Sequence, residues 1–134
     1  MVIKSITSET SLWISTIQYA DSCSWRAGPV LARAMKENQF VDWERVFVAI
    51  NDDQIAGYCT FAKKDCIPDI DYYPFIGFVF VGEDFRGERL SQKLINTVID
   101  YARGLHFKNI YITSGETDLY EKYGFIWKLG ADIH

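Results

Sequence analysis

With 134 residues, the chain has the length of one domain around one core, so a single domain over residues 1–134 is expected. Hydrophobic residues make up 49% and charged residues 24%, the balance of a globular domain rather than a disordered or fibrous chain. The formal net charge of −4 lacks the basic excess of a nucleic-acid binder, and no apolar run nears the roughly 20 residues needed to span a bilayer.

The first residues, MVIKSITSETSLW, contain no secretory apolar segment, which points to the cytoplasm. Cys23, Cys59 and Cys66 are odd in number and form no C-x-x-C pair. His106 and His134 are far from one another in sequence. Neither a disulfide framework nor a metal site is expected, and the cysteines read as free and structural.

In chain order, VIKSI (2–6) alternates and predicts a short strand. Ser8 or Thr10 is placed to cap a helix running to about Ser22, with Trp13, Ile17 and Ala20 on its inner face. SWRAGPVLARAMKEN predicts a second helix, with Pro29 tolerated in its first turn and Leu31, Ala34 and Met35 facing inward. RVFVAI (45–50) and IAGYCTFAK (55–63) predict a hairpin. NDDQ (51–54) is its turn, because Asn and Asp tolerate left-handed backbone angles. CIPDIDYYP (66–74) reads as a loop, and Phe75 to Val81 as a central strand covered on both faces.

A charged turn then leads into a helix whose Leu90, Leu94, Ile95, Val98 and Ala102 share one face. NIYIT (109–113) predicts a strand, DLYEKYG a short helix ended by Gly124, and FIWKLG (125–130) a last strand. The fold class is therefore α/β, a mixed sheet flanked by helices in the order β-α-α-β-β-β-α-β-α-β.

The charged turn is the first functional candidate. A helix N-terminus offers unpaired N–H groups and the positive end of a dipole, and amides of a tight turn add to them. The segment Arg86-Gly87-Glu88-Arg89 combines such a turn with two cations. It contains no Gly-Lys-Ser/Thr and no G-x-G-x-x-G, so neither a P-loop nor a dinucleotide fingerprint is present. Taken alone, the turn fits an anion site or an ordinary solvated loop.

A second segment, LYEKYGF (119–125), narrows the choice. Together the two resemble the GNAT family of acetyl-CoA-dependent N-acetyltransferases. The family's R/Q-x-x-G-x-G/A motif aligns with Arg86, Gly87, Glu88, Arg89, Leu90 and Ser91. Its L-Y-x-K-x-G-F motif aligns with Leu119, Tyr120, Lys122, Gly124 and Phe125. The motif glycines are replaced by Arg89 and Ser91. We expect both to be tolerated, with Arg89 in ordinary helical geometry at the start of the helix. The asparagine that often precedes the second motif is Thr113 here.

The resemblance implies a GNAT-like, mostly antiparallel sheet. It implies direct transfer of an acetyl group from acetyl-CoA to a primary amine of a small molecule. The diphosphate would lie on the amides of residues 87–91, with Arg86 and Arg89 adding positive charge nearby, and the pantetheine arm along the backbone of Val79 and Val81, with Thr113 near it. Tyr120 would protonate the departing thiolate, since a phenol with a pKa of about 10 stays protonated at neutral pH. Position 75, where some relatives carry a glutamate base, holds Phe75, so the base is not evident; Glu83 and Asp84 read as solvated.

Trp25, Tyr72, Tyr73 and Phe75, with Trp13 and Trp43 nearby in the same segments, are candidates to line the acceptor side. Ordinary packing competes with that role at each position. Other readings are a peptide or protein N-acetyltransferase and a non-catalytic acyl-CoA-binding module. A homodimer is expected to shelter the late strand FIWKLG. No nucleic acid or membrane partner is expected.

Overall fold

The computed structural model describes residues 1–23, 27–38, 40, 42–62, 75–107 and 110–112. The predicted Tyr120 helix, the last strand and the 66–74 loop lie outside them. So do Trp25, Tyr72, Tyr73, Thr113 and Cys66.

The described elements are β1 (Val2–Ile6), α1 (Leu12–Ser22), α2 (Gly28–Lys36), β2 (Arg45–Asn51), β3 (Gln54–Ala62), β4 (Phe75–Val81), a 3₁₀ turn (Glu83–Phe85), α3 (Leu90–Gly104) and β5 (Tyr111–Ile112). They form one sheet in the order β1-β2-β3-β4-β5. The first four strands are antiparallel, and β5 runs parallel to β4. The expected mixed α/β sheet is present.

The β2–β3 hairpin closes as its sequence dictates. Asn51 faces Gln54, and between them Asp52 (φ 49°) and Asp53 (φ 69°) both adopt left-handed angles. That twist matches the strands on either side.

α1 begins later than expected, at Leu12 rather than after Ser8 or Thr10, and its N-cap Ser11 makes no side-chain cap bond. Thr10 is occupied elsewhere. Its Oγ1 accepts the Thr7 N–H at 3.1 Å, closing a turn ahead of the helix. In α2, Pro29 sits in the first turn as expected, but the buried set is Leu31, Ala32 and Met35, and Ala34 turns half outward. Ala20 explains the tight α1–α2 contact. A Cβ on Gly28 would lie 2.2 Å from the Ala20 carbonyl oxygen, so only glycine fits there.

Apolar side chains fill both faces of the sheet. On one face, α3 buries Leu90, Leu94, Ile95, Val98 and Ala102 against Phe47, Cys59, Phe61 and Ile76. These are the helix positions the 3.6-residue period picks out. On the other, α1 and α2 bury Trp13, Ile17, Leu31 and Met35 against Val46, Val48, Tyr58 and Phe80. Trp13 donates its Nε1–H to the Met35 carbonyl at 3.3 Å, and Trp43 packs against Phe61 and Phe107. Both tryptophans serve the core rather than an aromatic lining. At the end of α3, His106 (φ 70°) takes the left-handed C′ position usually given to glycine. Its N–H bonds the Arg103 carbonyl, and that of Phe107 bonds Ala102. His106 therefore ends a helix; no group of histidine, cysteine and carboxylate side chains fit to hold a metal ion occurs among the described residues.

Candidate acyl-donor site

β4 places the candidate site, and its irregularity matters most. Along β3, Tyr58 faces Phe80 and Thr60 faces Gly77, so three steps on β4 oppose two on β3. The extra residue is absorbed at Phe78, which has φ 48°, a left-handed angle that is uncommon for an aromatic residue. The bulge switches faces. Ile76 packs on the α3 side; Phe78 and Phe80 pack on the α1–α2 side, and Val79 and Val81 on the α3 side. The sequence reads as one uninterrupted apolar run and gives no sign of this.

Beyond the bulge the ladder ends cleanly. Gly82 donates its N–H to the Ala56 carbonyl at 2.8 Å. In an antiparallel pair, hydrogen-bonded partners alternate, so Phe80 also turns its polar backbone toward β3. Val79 and Val81 then turn theirs to the opposite edge. On that edge the described part of β5 pairs with Phe75 and Ile76. The backbone of Val79 and Val81 thus faces the edge of β4 that, among the described residues, β5 meets only at Phe75 and Ile76.

A close approach holds this end of β4 in place. A Cβ on Gly57 would lie 2.5 Å from the Phe80 carbonyl oxygen and 3.5 Å from Leu90 Cδ2. Glycine there lets β3, β4 and the start of α3 converge.

The chain next makes the 3₁₀ turn Glu83–Phe85 and the loop 86–89, and enters α3 at Leu90. Glu83, Asp84, Arg86, Gly87, Glu88 and Arg89 are exposed, while Leu90 is buried as the anchor of the helix. Gly87 has φ 87°, and a Cβ there would meet nothing within 4 Å. Its glycine is required by backbone angle, not by space.

Arg89 corrects an expectation. Its φ of 62° and ψ of 29° are left-handed, not helical. The family motif has glycine at this position, and the geometry gives the reason. The loop reverses direction there as the chain enters α3, and the N-cap residue Arg89 makes no side-chain cap bond. No acidic residue lies in the first turn of the helix. A helix start with no acidic residue, next to a left-handed turn, presents amides and a positive dipole end suited to an oxyanion. Coenzyme A is compatible with this geometry: its diphosphate would meet the start of α3 at residues 87–91, and its arm the strand backbone at Val79 and Val81.

Arg86 makes polar and ring contacts back to β4. Its Nε–H donates to the Val81 carbonyl at 3.0 Å, and its guanidinium carbon lies 5.8 Å from the centre of the Phe80 ring. Phe75, a candidate for the acceptor side, is 2% exposed and is buried at the first position of β4.

A cleft of about 940 Å³ opens on the other face, between α1, the β2–β3 hairpin and the 3₁₀ turn. Ser15, Gln18 and Tyr19 line it from α1, with Phe80 in β4 and the carboxylates of Asp53, Glu83 and Asp84. Burial raises the Tyr19 phenol above its ordinary pKa, helped by Cys23. A Cβ on Gly82 would lie 2.8 Å from the Tyr19 hydroxyl oxygen, so the cleft and the donor loop touch at Gly82. This cleft was not legible in the sequence, since its walls come from four separate segments.

The acetyltransferase (GNAT) family model matches residues 13–125. No curated protein matches the chain in sequence. Among solved structures, AAC(6′)-Iy with the bisubstrate analogue CoA-S-monomethyl-acetylneamine is similar at 18% identity and TM-score 0.71, covering 99% of this chain and 95% of that one. The aminoglycoside antibiotic 6′-N-acetyltransferase AAC(6′)-IG from Acinetobacter haemolyticus is similar at 11% identity and TM-score 0.70, covering 100% and 96%. The GNAT family N-acetyltransferase YhbS from Escherichia coli, in complex with CoA, is similar at 21% identity and TM-score 0.68, covering 92% and 67%. At these identities the structures show a shared fold.

Proposed function

Because this chain belongs to the acetyltransferase (GNAT) family, an enzyme family whose acyl donor is acetyl-CoA, we propose that it transfers the acetyl group to a primary amine of a small molecule. The observation that carries the reading is the start of α3 behind the left-handed Arg89, with no side-chain cap from Arg89 and no acidic residue in its first turn, next to the outward-facing backbone of Val79 and Val81. Acetyl-CoA, when bound, supplies an activated thioester. The chain's own part is to hold the diphosphate on the amides of residues 87–91, to align the arm along β4, and to keep both reactants in one geometry. Tyr120 is assigned as the group that holds a proton for the departing sulfur, and Thr113 as a neighbour of the arm.

We place the acceptor on the α1 side of the sheet, with Trp25, Tyr72 and Tyr73 kept as candidates from the sequence to line it. The carboxylates and hydroxyls of the cleft on that face suit an amine with a hydroxylated body, and the similar AAC(6′)-IG is an aminoglycoside 6′-N-acetyltransferase. No described helix is long and apolar enough to cross a membrane. We infer a cytoplasmic enzyme and a homodimer, the dimer resting on the apolar segment FIWKLG that the sequence predicts as a strand, and checked by its mass in light scattering.

The test of function is release of free thiol from acetyl-CoA with three acceptor sets: amino sugars and aminoglycosides, simple alkyl amines, and peptides with free N-termini or lysines. Turnover with the first set above the others supports the assignment. Turnover with peptides alone replaces it by peptide acetylation.

A further inference from the structure

In the donor loop, Arg86 reads from sequence as a cation beside a phosphate. Its side chain is engaged otherwise. The Nε–H is bonded at 3.0 Å to the carbonyl of Val81, five residues back. That carbonyl belongs to the strand edge facing away from β3, where no ladder bond to β3 would satisfy it. The guanidinium rests over Phe80, whose ring stacks on Tyr58 at 5.4 Å and meets the edge of Tyr19 at 6.2 Å. Phe80 is 6% exposed, so this platform is fixed by the core. The single ion pair among the described residues is Arg33–Glu37, so no described carboxylate draws Arg86 elsewhere.

We propose that Arg86 is a positioning residue: its Nε–H bond to the Val81 carbonyl closes the loop from β4 to α3 and aims the amides of residues 87–91, and this bond rather than the positive charge is what the position supplies. The inference rests on the assignment of those amides to the diphosphate.

A bond count supports it. In arginine the Nε follows Cδ. In glutamine the amide Nε2 also follows Cδ, so it can offer an N–H at the same reach. In lysine that place is taken by a methylene, and the ammonium lies one bond further out. The family motif admits Arg or Gln at this position, a pair that shares no charge but does share that donor. A position that needed only a positive point charge near the phosphate would be served by Lys and not by Gln.

The test is coenzyme A affinity by calorimetry for Arg86→Gln, Arg86→Lys and Arg86→Ala, with melting of the free protein measured alongside. Arg86 is exposed, so all three are expected to fold and melt close to the parent. The expected result is affinity for Gln within about threefold of the parent, and a loss of roughly tenfold for both Lys and Ala, the size of one lost hydrogen bond. In kinetics, the Ala and Lys variants should raise KM for acetyl-CoA with little change in kcat.

Retention by Lys with loss in Gln would overturn the proposal in favour of charge. Equal losses in all three, or none in any, would overturn it as well. The underlying cradle is tested separately with Gly87→Pro, which removes one amide donor and forbids φ 87°. If that variant binds coenzyme A normally, the placement of the diphosphate is wrong, whatever the Arg86 series does.

Discussion

Arg89→Gly should stabilise the free protein. Arg89 holds φ 62° and ψ 29°, where a side chain with a Cβ is strained by about 1–2 kcal/mol. Glycine escapes that strain but gives the unfolded chain more freedom, a loss of about 0.4–1 kcal/mol. The difference leaves a net gain of about 0.5–1 kcal/mol, which for a domain of this size raises Tm by roughly 2–4 °C. The exposed Arg89 side chain makes no hydrogen bond or ion pair with the described residues, so its removal subtracts little else.

The assay is urea unfolding of the ligand-free protein, because removing a cation near the diphosphate would change donor binding in its own right. Gly87→Ala is the mirror control. At φ 87°, with nothing within 4 Å of the new Cβ, only backbone strain acts, and a loss of about 0.5–1.5 kcal/mol is expected. An Arg89→Gly protein that is no more stable than the parent, or a Gly87→Ala protein that matches it, would refute the loop geometry from which both figures follow.

Three further outcomes are expected. Gly57→Ala forces a Cβ to 2.5 Å from the Phe80 carbonyl oxygen and should destabilise by about 1–3 kcal/mol while raising KM for acetyl-CoA, seen by unfolding and steady-state kinetics together. Tyr120→Phe should lower kcat by about 10²–10⁴-fold with little change in coenzyme A affinity; near-normal turnover would move the acid role elsewhere, with Tyr123→Phe the next variant to try. Burial raises the Cys59 thiol in the folded state, so the unfolded chain loses that proton first. Stability from this group is full below the ordinary thiol pKa of about 8.5 and falls as pH rises beyond it, by up to about 1.4 kcal/mol per pH unit. Cys59→Ala should flatten that alkaline slope in unfolding measured across pH 8–10. Tyr58, raised by burial and by its Cys23 contact, adds its own loss at pH values above about 10.

How much of this was legible in the sequence follows from what each feature depends on. The α3 stripe and the Asp52-Asp53 turn are local: one repeats every 3.6 residues, and the other needs only two side chains that tolerate positive φ. The Phe78 bulge depends on how β3 pairs with β4, and a run such as FIGFVFV looks the same with or without it. The face of α2 shifted because an inner face depends on the packing of the neighbouring helix, which brought Ala32 rather than Ala34 inward.

The donor loop is a different case, and it shows why a motif can survive the loss of its glycines. The groups that would meet the diphosphate are backbone amides, which every residue but proline carries. Side chains at 87 and 89 matter through the angles they permit. Arginine at 89 permits the left-handed angle at the expense of strain, so Arg89 marks a departure in stability rather than in chemistry. Arg86 is the converse. Its side chain supplies a contact that ties the loop to β4, and a sequence shows its charge but not the carbonyl it meets. Loss of donor binding should therefore track residues that move the amides, such as Arg86, Gly87 and Gly57, more closely than residues that carry charge near them.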